Sequence, residues 1–340
     1  MNEIKDKIIF NYNLSEFNFV INETDDKSEF DKLLIKKWEY AQNNNILRYK
    51  LSIKKYKILE GKYKFLMQLN LDRAQNRRTP ENITSLKAQF DPNRFNFTKI
   101  RDEEILFDLS DGDGNNVIAV NVSPIEYGHC LFLSDRLKCL PQVVTKSSLR
   151  QIIELFLLSR SPYLRAVFNG LCAYASVNHL HWHIYYLKHK MLLEEIKLES
   201  LTEHVYILKD YPARGFCIKL SSFSNNLDDF VSKVFLIINW MQNNSIAHNV
   251  AITRARSLDR DQNGKIYDDV RVYIWARKMA TGIKDTSGFI PAVCELFGHL
   301  SIRTEEAYES LTEDQVIKCL EDAICPFDFV CSKLKELLIN

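Results

Sequence analysis

The sequence predicts an α+β protein, an antiparallel sheet carrying helices, built in two similar halves. Three observations point there. Short apolar segments of strand length recur from about residue 62 onward. Two longer stretches, "SSLRQIIELFLLSR" at 147–160 and "LDDFVSKVFLIINWMQNN" at 227–244, place their apolar groups at helical spacing instead. The order strand, helix, strand pair then occurs both before and after residue 190, which suggests an old duplication.

In chain order, residues 26–41 repeat apolar groups at Phe30, Leu33, Leu34 and Trp38, a helical spacing that Asp25 or Asp26 could cap. The Asn-rich "QNNN" ends it, so residues 1–45 read as an accessory helical segment. Residues 46–195 form the first half. "KYKFLMQLN" (62–70) and "VIAVNVSPIEYGHCLFLS" (117–134) read as strands, with a long polar stretch between them. A loop of that length inside a compact domain is usually functional or mobile. "DGDGNN" (111–116) is a hairpin turn. The 147–160 helix begins at Ser147 or Ser148, and "RAVFNGLCAYASVNHLHWHIYYL" follows as two strands. Residues 196–340 form the second half: strands "HVYIL" and "GFCIKL", the 227–244 helix, strands "HNVAITRAR" and "DVRVYIWARK", and a mostly helical C-terminus.

Composition excludes several classes. The 340 residues carry 45 basic and 44 acidic side chains, with no long basic run to track a nucleic-acid backbone. The N-terminus lacks the apolar core of a signal peptide, and "VFLIINWM" is too short to span a bilayer. Eight cysteines without a CxxC pair read as reduced thiols in a cytoplasmic protein.

The chemistry concentrates in "SVNHLHWHIYYL" (176–187), which holds three of the eight histidines at alternate positions. Strand residues two apart share a face, about 7 Å from one another. Val177, His179, His181, His183 and Tyr185 would then line one face. Leu180, Trp182, Ile184 and Tyr186 would pack the other against the core. The imidazoles must point away from that core, toward solvent or a cleft. A surface row of hydrogen-bonding histidines is one reading, and three neutral ligands for a metal is another. The third is nucleophilic catalysis, in which the central imidazole attacks phosphorus while its neighbours bind phosphate oxygens and fix its tautomer.

This motif, preceded by "GHCLFL" (128–133), resembles the histidine-triad superfamily of nucleotide hydrolases and transferases. "RAQNRRTPENITS" (73–85), "FDPNRFNFTKI" (90–100), "NVSPIEYGH" (121–129), "ASVNHLH" (175–181) and "YPARGF" (211–216) narrow the likeness to the GDP-D-glucose phosphorylase family, close to the plant GDP-L-galactose phosphorylases. The matching blocks run from about residue 60 to 310, and the first 45 residues show none. The resemblance implies a histidine-triad-like antiparallel sheet, doubled as in the galactose uridylyltransferases. It implies phosphorolysis of a GDP-hexose, GDP-D-glucose foremost, with inorganic phosphate as the second substrate. His181 would be the nucleophile, His183 would contact the α-phosphate, and His179 would order the loop and the ring of His181. Ser176 matches a serine that assists phosphate binding in uridylyltransferases. Ser134 departs from the usual proline of the "GHxLxxP" pattern. With no CxxC pair, neither a structural zinc nor any other cofactor is expected. A homodimer is compatible with it.

A carbonyl accepting the Nδ1 proton of His181 would leave Nε2 free to attack; the sequence does not say which carbonyl. Arg73, Arg77 and Arg78, beside Asn76 and Asn82, are the candidate phosphate forks, and Arg214 is a further one. Water in place of phosphate would make the protein a hydrolase, and a degenerate triad would make it a nucleotide sensor. Other signals carry less. "DRDQNGKIYDDV" (259–270) nearly fits a calcium loop, but Val270 stands where a bidentate glutamate is required, and Asn263-Gly264 reads as a hairpin. Glu295 and His299 would share a helical face and could pair on a metal, though helix-end roles suit them better. His129 reads as structural, and Phe95 and Phe97 as core.

Overall fold

Apolar positions on helices and strands divide into two faces, and that division builds the molecule. The structure, a computed structural model, describes residues 8–109, 111–256, 265–280 and 288–339. The first elements are β1 (Ile9–Phe10), β2 (Ile21–Asn22), α1 (Glu29–Asn43), β3 (Lys55–Ile58), β4 (Leu66–Leu69) and α2 (Leu71–Asn76). Then come β5 (Ile105–Leu109), β6 (Val117–Val120), β7 (Cys130–Leu133), α3 (Lys146–Leu158), β8 (Leu164–Asn169) and β9 (Trp182–Tyr186). A second series follows: β10 (Glu199–Thr202), β11 (Val205–Ile207), β12 (Phe216–Lys219), α4 (Leu227–Asn243), β13 (Ala247–Ala255), β14 (Ile266–Tyr267) and β15 (Asp269–Arg277). The chain closes with α5 (Val293–Leu296), β16 (His299–Ile302), α6 (Glu305–Ser310), α7 (Glu313–Ala323) and α8 (Phe327–Ile339).

Eleven strands form one sheet in the order β1-β5-β6-β7-β9-β8-β13-β15-β12-β11-β10. Reading outward from the central β8–β13 pair, one wing runs β8, β9, β7, β6, β5 and the other β13, β15, β12, β11, β10. Each wing takes its fourth, fifth, third, second and first chain-order strands in corresponding positions, and α3 and α4 enter at corresponding points. All these pairs are antiparallel; only β1 on β5 is parallel.

One face of the sheet packs on α1, α3, α4 and α8 through Trp38, Ile152, Phe156, Val234, Ile238 and Leu334, all within 1% of full burial. The opposite face carries a small sheet of β3, β4 and β16, with α5, α6 and α7. Fully burying side chains of this size contributes roughly 1.5–3 kcal/mol each.

Three expectations shift. Helix α1 is not peripheral: Phe30, Leu34, Trp38 and Ala41 lie inside the main core. Its buried Asp31 accepts bonds from Ser159 Oγ (2.6 Å), Tyr186 Oη (2.7 Å) and the Arg160 N–H (2.9 Å). The helix caps are Ser28 for α1 and Thr145 for α3, each with a capping box, because their side chains reach the N3 amide where Asp25, Asp26, Ser147 and Ser148 do not. Finally, "KYKFLMQLN" supplies β4 to the small sheet, not the large one. The 111–116 turn does link β5 to β6, with Gly112 and Gly114 at positive φ. The 259–264 part of the calcium-like loop, including the Asn263-Gly264 turn, lies outside the described residues.

Candidate active site

Opposite the helices, beside β6, β7, β8 and β9, lies a cavity of about 500 Å³. The parity of β9 puts Trp182 and Ile184 into the helix-side core and turns His183 toward this cavity. Only His183 stands on the strand. His179 and His181 precede it in irregular chain, because the ladder ends at the Phe132–Trp182 and Val167–His183 pairs. The expectation of one strand through all three histidines is corrected accordingly.

A side chain takes over where strand partners run out. Gln142 Oε1 accepts the His181 N–H at 2.9 Å, and its Nε2 donates to the carbonyls of His181 and Asn169, both at 3.0 Å. Asn178 secures the same loop, accepting the Gln142 N–H and donating to the carbonyls of Ala88 and Gln89. The long 73–100 segment is therefore one wall of the site.

Hydrogen bonds settle each ring's tautomer. His181 Nδ1 lies 2.7 Å from the carbonyl of His179, which can only accept, so Nδ1 carries the proton and the Nε2 lone pair is left. His179 is fully committed: Nδ1 accepts the Phe97 N–H and Nε2 donates to the Arg136 carbonyl, each at 3.0 Å. His129 accepts the Ile125 N–H at Nδ1, so its Nε2 bears the proton and donates to His183 Nδ1 at 3.0 Å. His183 then presents Nε2–H as a donor. The Asn121 amide nitrogen, 3.2 Å from His129 Nε2, is a second donor at that point and cannot bond to it.

Burial keeps these rings neutral. It pushes His179 and His181 down to about 4, and His129 and His183 well below the ordinary range, where neighbouring rings and Arg73 depress them further. A neutral His181 is the nucleophilic form at physiological pH.

The rest of the lining is cationic. Arg48, Arg73, Arg77, Arg78, Arg101 and Arg303 face the cavity, with Glu104 and Glu295 as its carboxylates. Arg101 is taken up by Glu103 and Glu104, and Arg73 donates to the Ser123 carbonyl. Among the described residues, Arg48, Arg77, Arg78 and Arg303 have no carboxylate at ion-pair distance, though Glu295 lies near Arg77 and Arg303 and Glu104 near Arg78. Burial pushes Arg77 and Arg78 down to about 10, and nearby guanidinium groups add to that: Arg303 and Arg73 for Arg77, Arg48 for Arg78. Both remain charged at neutral pH. Such a set of arginines without close ion pairs, outnumbering the carboxylates of the cavity, suits a polyanion. Arg78 also lies 3.4 Å over the centroid of the Phe95 ring, whose residue is 39% exposed.

Of the sequence-predicted residues, His181, His183, Ser176, Arg73, Arg77 and Arg78 line the cavity, while His179 supports it from behind. Asn76 is exposed at the end of α2 and does not line it. Arg214 lies elsewhere, over the Phe327 ring and 3.1 Å from Asp328. Phe97 is buried as expected, but Phe95 is not a core residue. Glu295 and His299 do not share a helix: α5 ends at Leu296 and His299 opens β16, bonded to Gln68 at 2.6 Å. Among the described residues no three His, Cys, Asp or Glu side chains gather as metal ligands. Sequence reasoning missed Gln142, Arg303 and Asn169, and it underrated His129. Strand parity could have found the last, since His129 and Leu131 face away from buried Cys130 and Phe132.

A neutral histidine with an unprotonated Nε2 before an arginine-lined cavity, on a doubled antiparallel sheet, is an arrangement suited to histidine-triad-like nucleotidyl transfer. The same architecture occurs in solved structures of yeast Ap4A phosphorylase Apa2, with a TM-score of 0.62 over 87% of this chain and 94% of that one, at 17% identity. Residues 29–185 match the family described as "GDPGP1-like, N-terminal domain", and 188–326 match "GDPGP1-like, C-terminal domain". The chain is 37% identical to human GDP-D-glucose phosphorylase 1 over 88% of its own length and 80% of the relative's. To the zebrafish (Danio rerio) protein of the same name it is 37% identical, covering 92% of each. Identity to Arabidopsis thaliana GDP-L-galactose phosphorylase 2 is 32% over 86% of this chain and 72% of the other. The chain belongs to the GDPGP1-like family.

Proposed function

We propose that the protein catalyses phosphorolysis of a GDP-hexose, with GDP-D-glucose the leading substrate, through a guanylyl-histidine on His181. One observation carries this reading: the His179 carbonyl holds the Nδ1 proton of His181, so the unprotonated Nε2 is available beside the arginines. The names of the family's relatives support the substrate class.

In the first displacement His181 Nε2 attacks the α-phosphorus and hexose 1-phosphate departs. In the second, inorganic phosphate attacks the intermediate and GDP leaves. The His183 Nε2–H donates to a non-bridging α-phosphate oxygen, with the Ser176 hydroxyl alongside it. His129 fixes that donor by occupying the other ring nitrogen. These preorganised donors stabilise charge as it develops. Arg78 and Phe95 form a flat seat for the guanine base, since bases stack on guanidinium and aromatic planes alike. Arg77 and Arg303, near one another, take the phosphate of the leaving sugar and later the incoming phosphate.

Substrate turnover with and without inorganic phosphate tests the reading. GDP and hexose 1-phosphate should appear only when phosphate is present. Equal turnover without it would make the protein a hydrolase, and binding without turnover would make it a sensor. All eight cysteines are unpaired, which fits the reducing cytoplasm we assign to it. Among the described residues no helix is long and apolar enough to cross a membrane.

A further inference from the structure

The two carboxylates of the cavity differ in kind. Glu104 is held by Arg101 at 2.8 Å. Glu295 is 6% exposed and lines the cavity, yet among the described residues its contacts include no ion pair. Its hydrogen bonds come from backbone alone, the Ser301 N–H to Oε1 at a weak 3.4 Å and the N–H of Glu295 itself. A buried carboxylate without a strong partner is costly, and such groups cluster at functional sites. The fold holds it there: α5 ends one residue later, Gly298 turns the chain at φ +100°, and β16 returns Ser301 and Arg303 to the same cavity.

The charged and titratable groups around Glu295 come from several elements. Arg303 follows β16, Arg73 belongs to α2 and Arg77 follows it, Tyr174 follows β8, Arg277 ends β15, Cys319 is in α7 and Cys294 precedes Glu295 in α5. Burial outweighs the backbone N–H groups of Glu295 and Ser301 and the pull of Arg303 and Arg73, and pushes the carboxyl up to about 7. Phosphate groups exchange their second proton at about pH 6, so proton exchange with a phosphate is nearly balanced.

We propose that Glu295 is a catalytic residue that carries a proton from one phosphate to another, protonating the departing hexose 1-phosphate and recovering the proton from the incoming phosphate. The role rests on the phosphorolysis reading and deepens it. In the first half-reaction the Nε2 lone pair of His181 forms the P–N bond. The α-phosphorus–oxygen bond breaks with its electrons staying on the sugar phosphate, which takes the proton of Glu295. In the second, dihydrogen phosphate gives one proton to the Glu295 carboxylate as its oxygen attacks the α-phosphorus. The P–N bond breaks and its electron pair returns to Nε2, so His181 and Glu295 are both restored.

The test compares single-turnover guanylylation of the full chain by two donors, GDP-glucose and the p-nitrophenyl ester of GMP, whose leaving group departs without a proton. In Glu295→Gln the GDP-glucose reaction should slow about 100-fold while the ester reacts within about threefold of the unsubstituted protein. The rate with GDP-glucose should fall as pH rises through neutrality in the unsubstituted protein, and this limb should vanish in Glu295→Gln. Equal slowing with both donors, or no slowing with either, overturns the proton-carrier role. If the unsubstituted protein accepts a guanylyl group from neither donor, the phosphorolysis reading itself fails and this proposal with it.

Discussion

The two wings of the large sheet share a strand order but fill the face opposite the helices differently. Cys130 and Ala166 flank Ile184 in one wing, and Phe216 and Val250 flank Ile274 in the other. This register makes Tyr273 the counterpart of His183, Arg271 that of His181, and Gly215 that of His129. His183 faces the cavity, whereas Tyr273 is fully buried, bonds the Leu193 carbonyl at 2.6 Å and lies near-parallel to Trp275. Gly215 is required there, since a Cβ would meet Trp275 Cδ1 at 2.7 Å. Arg271 donates to the Ile196 carbonyl at 3.1 Å and to Tyr273 Oη at 3.3 Å. One scaffold thus carries polar groups open to a cavity on one side and packed ones bonded to backbone carbonyls on the other.

The contrast can be broken by substitution on either wing. His181→Asn has the largest expected effect: kcat falls by about 10⁴-fold or more and no labelled guanylyl group is trapped on the protein, although it still folds and binds GDP-hexose. Turnover near the unsubstituted level in that variant would remove the nucleophile assignment. Tyr273→Ala, its opposite in kind, should cost about 3–5 kcal/mol of stability, as large aromatic truncations in cores do. Chemical denaturation measures it, and an undiminished unfolding midpoint would show that the second wing is not packed for stability. The smallest effect belongs to Arg214→Ala, which should leave kcat/KM unchanged and stability within about 1 kcal/mol, because its ion pair reaches an exposed Asp328. A tenfold fall in kcat/KM would bring Arg214 back as a phosphate ligand.

Much of this was legible along the chain. Period-2 alternation identified β9, and the same parity sends Trp182 and Ile184 inward. Helical periodicity found α1, α3 and α4 within a few residues, and missed their caps because several capping residues compete at each start. Failures came where distant chain meets. Gln142 looks like any polar residue until it is seen holding the backbone of His181 across 39 positions. Arg303 joins Arg77 only because β16 pairs in parallel with β4. Phe95 reads as an ordinary core residue, and its exposure beside Arg78 follows from the path of the 73–100 segment. Conversely, Arg214 sits in a motif that matches the family, yet the β11–β12 connection carries it to another surface.

By itself the sequence determined which residue types meet along a strand and on which face, because alternation is a local property of the extended backbone. It therefore specified the facing of His183 on β9, the apolar layer behind it and the repeated order of strands and helices. Tertiary structure decided which imidazole keeps its unprotonated nitrogen open to the cavity, which arginines lack an ion pair and which buried carboxyl is raised toward neutrality. Those properties depend on carbonyls, charges and burial contributed by segments far apart in the chain, and their distances exist only once the layers have packed.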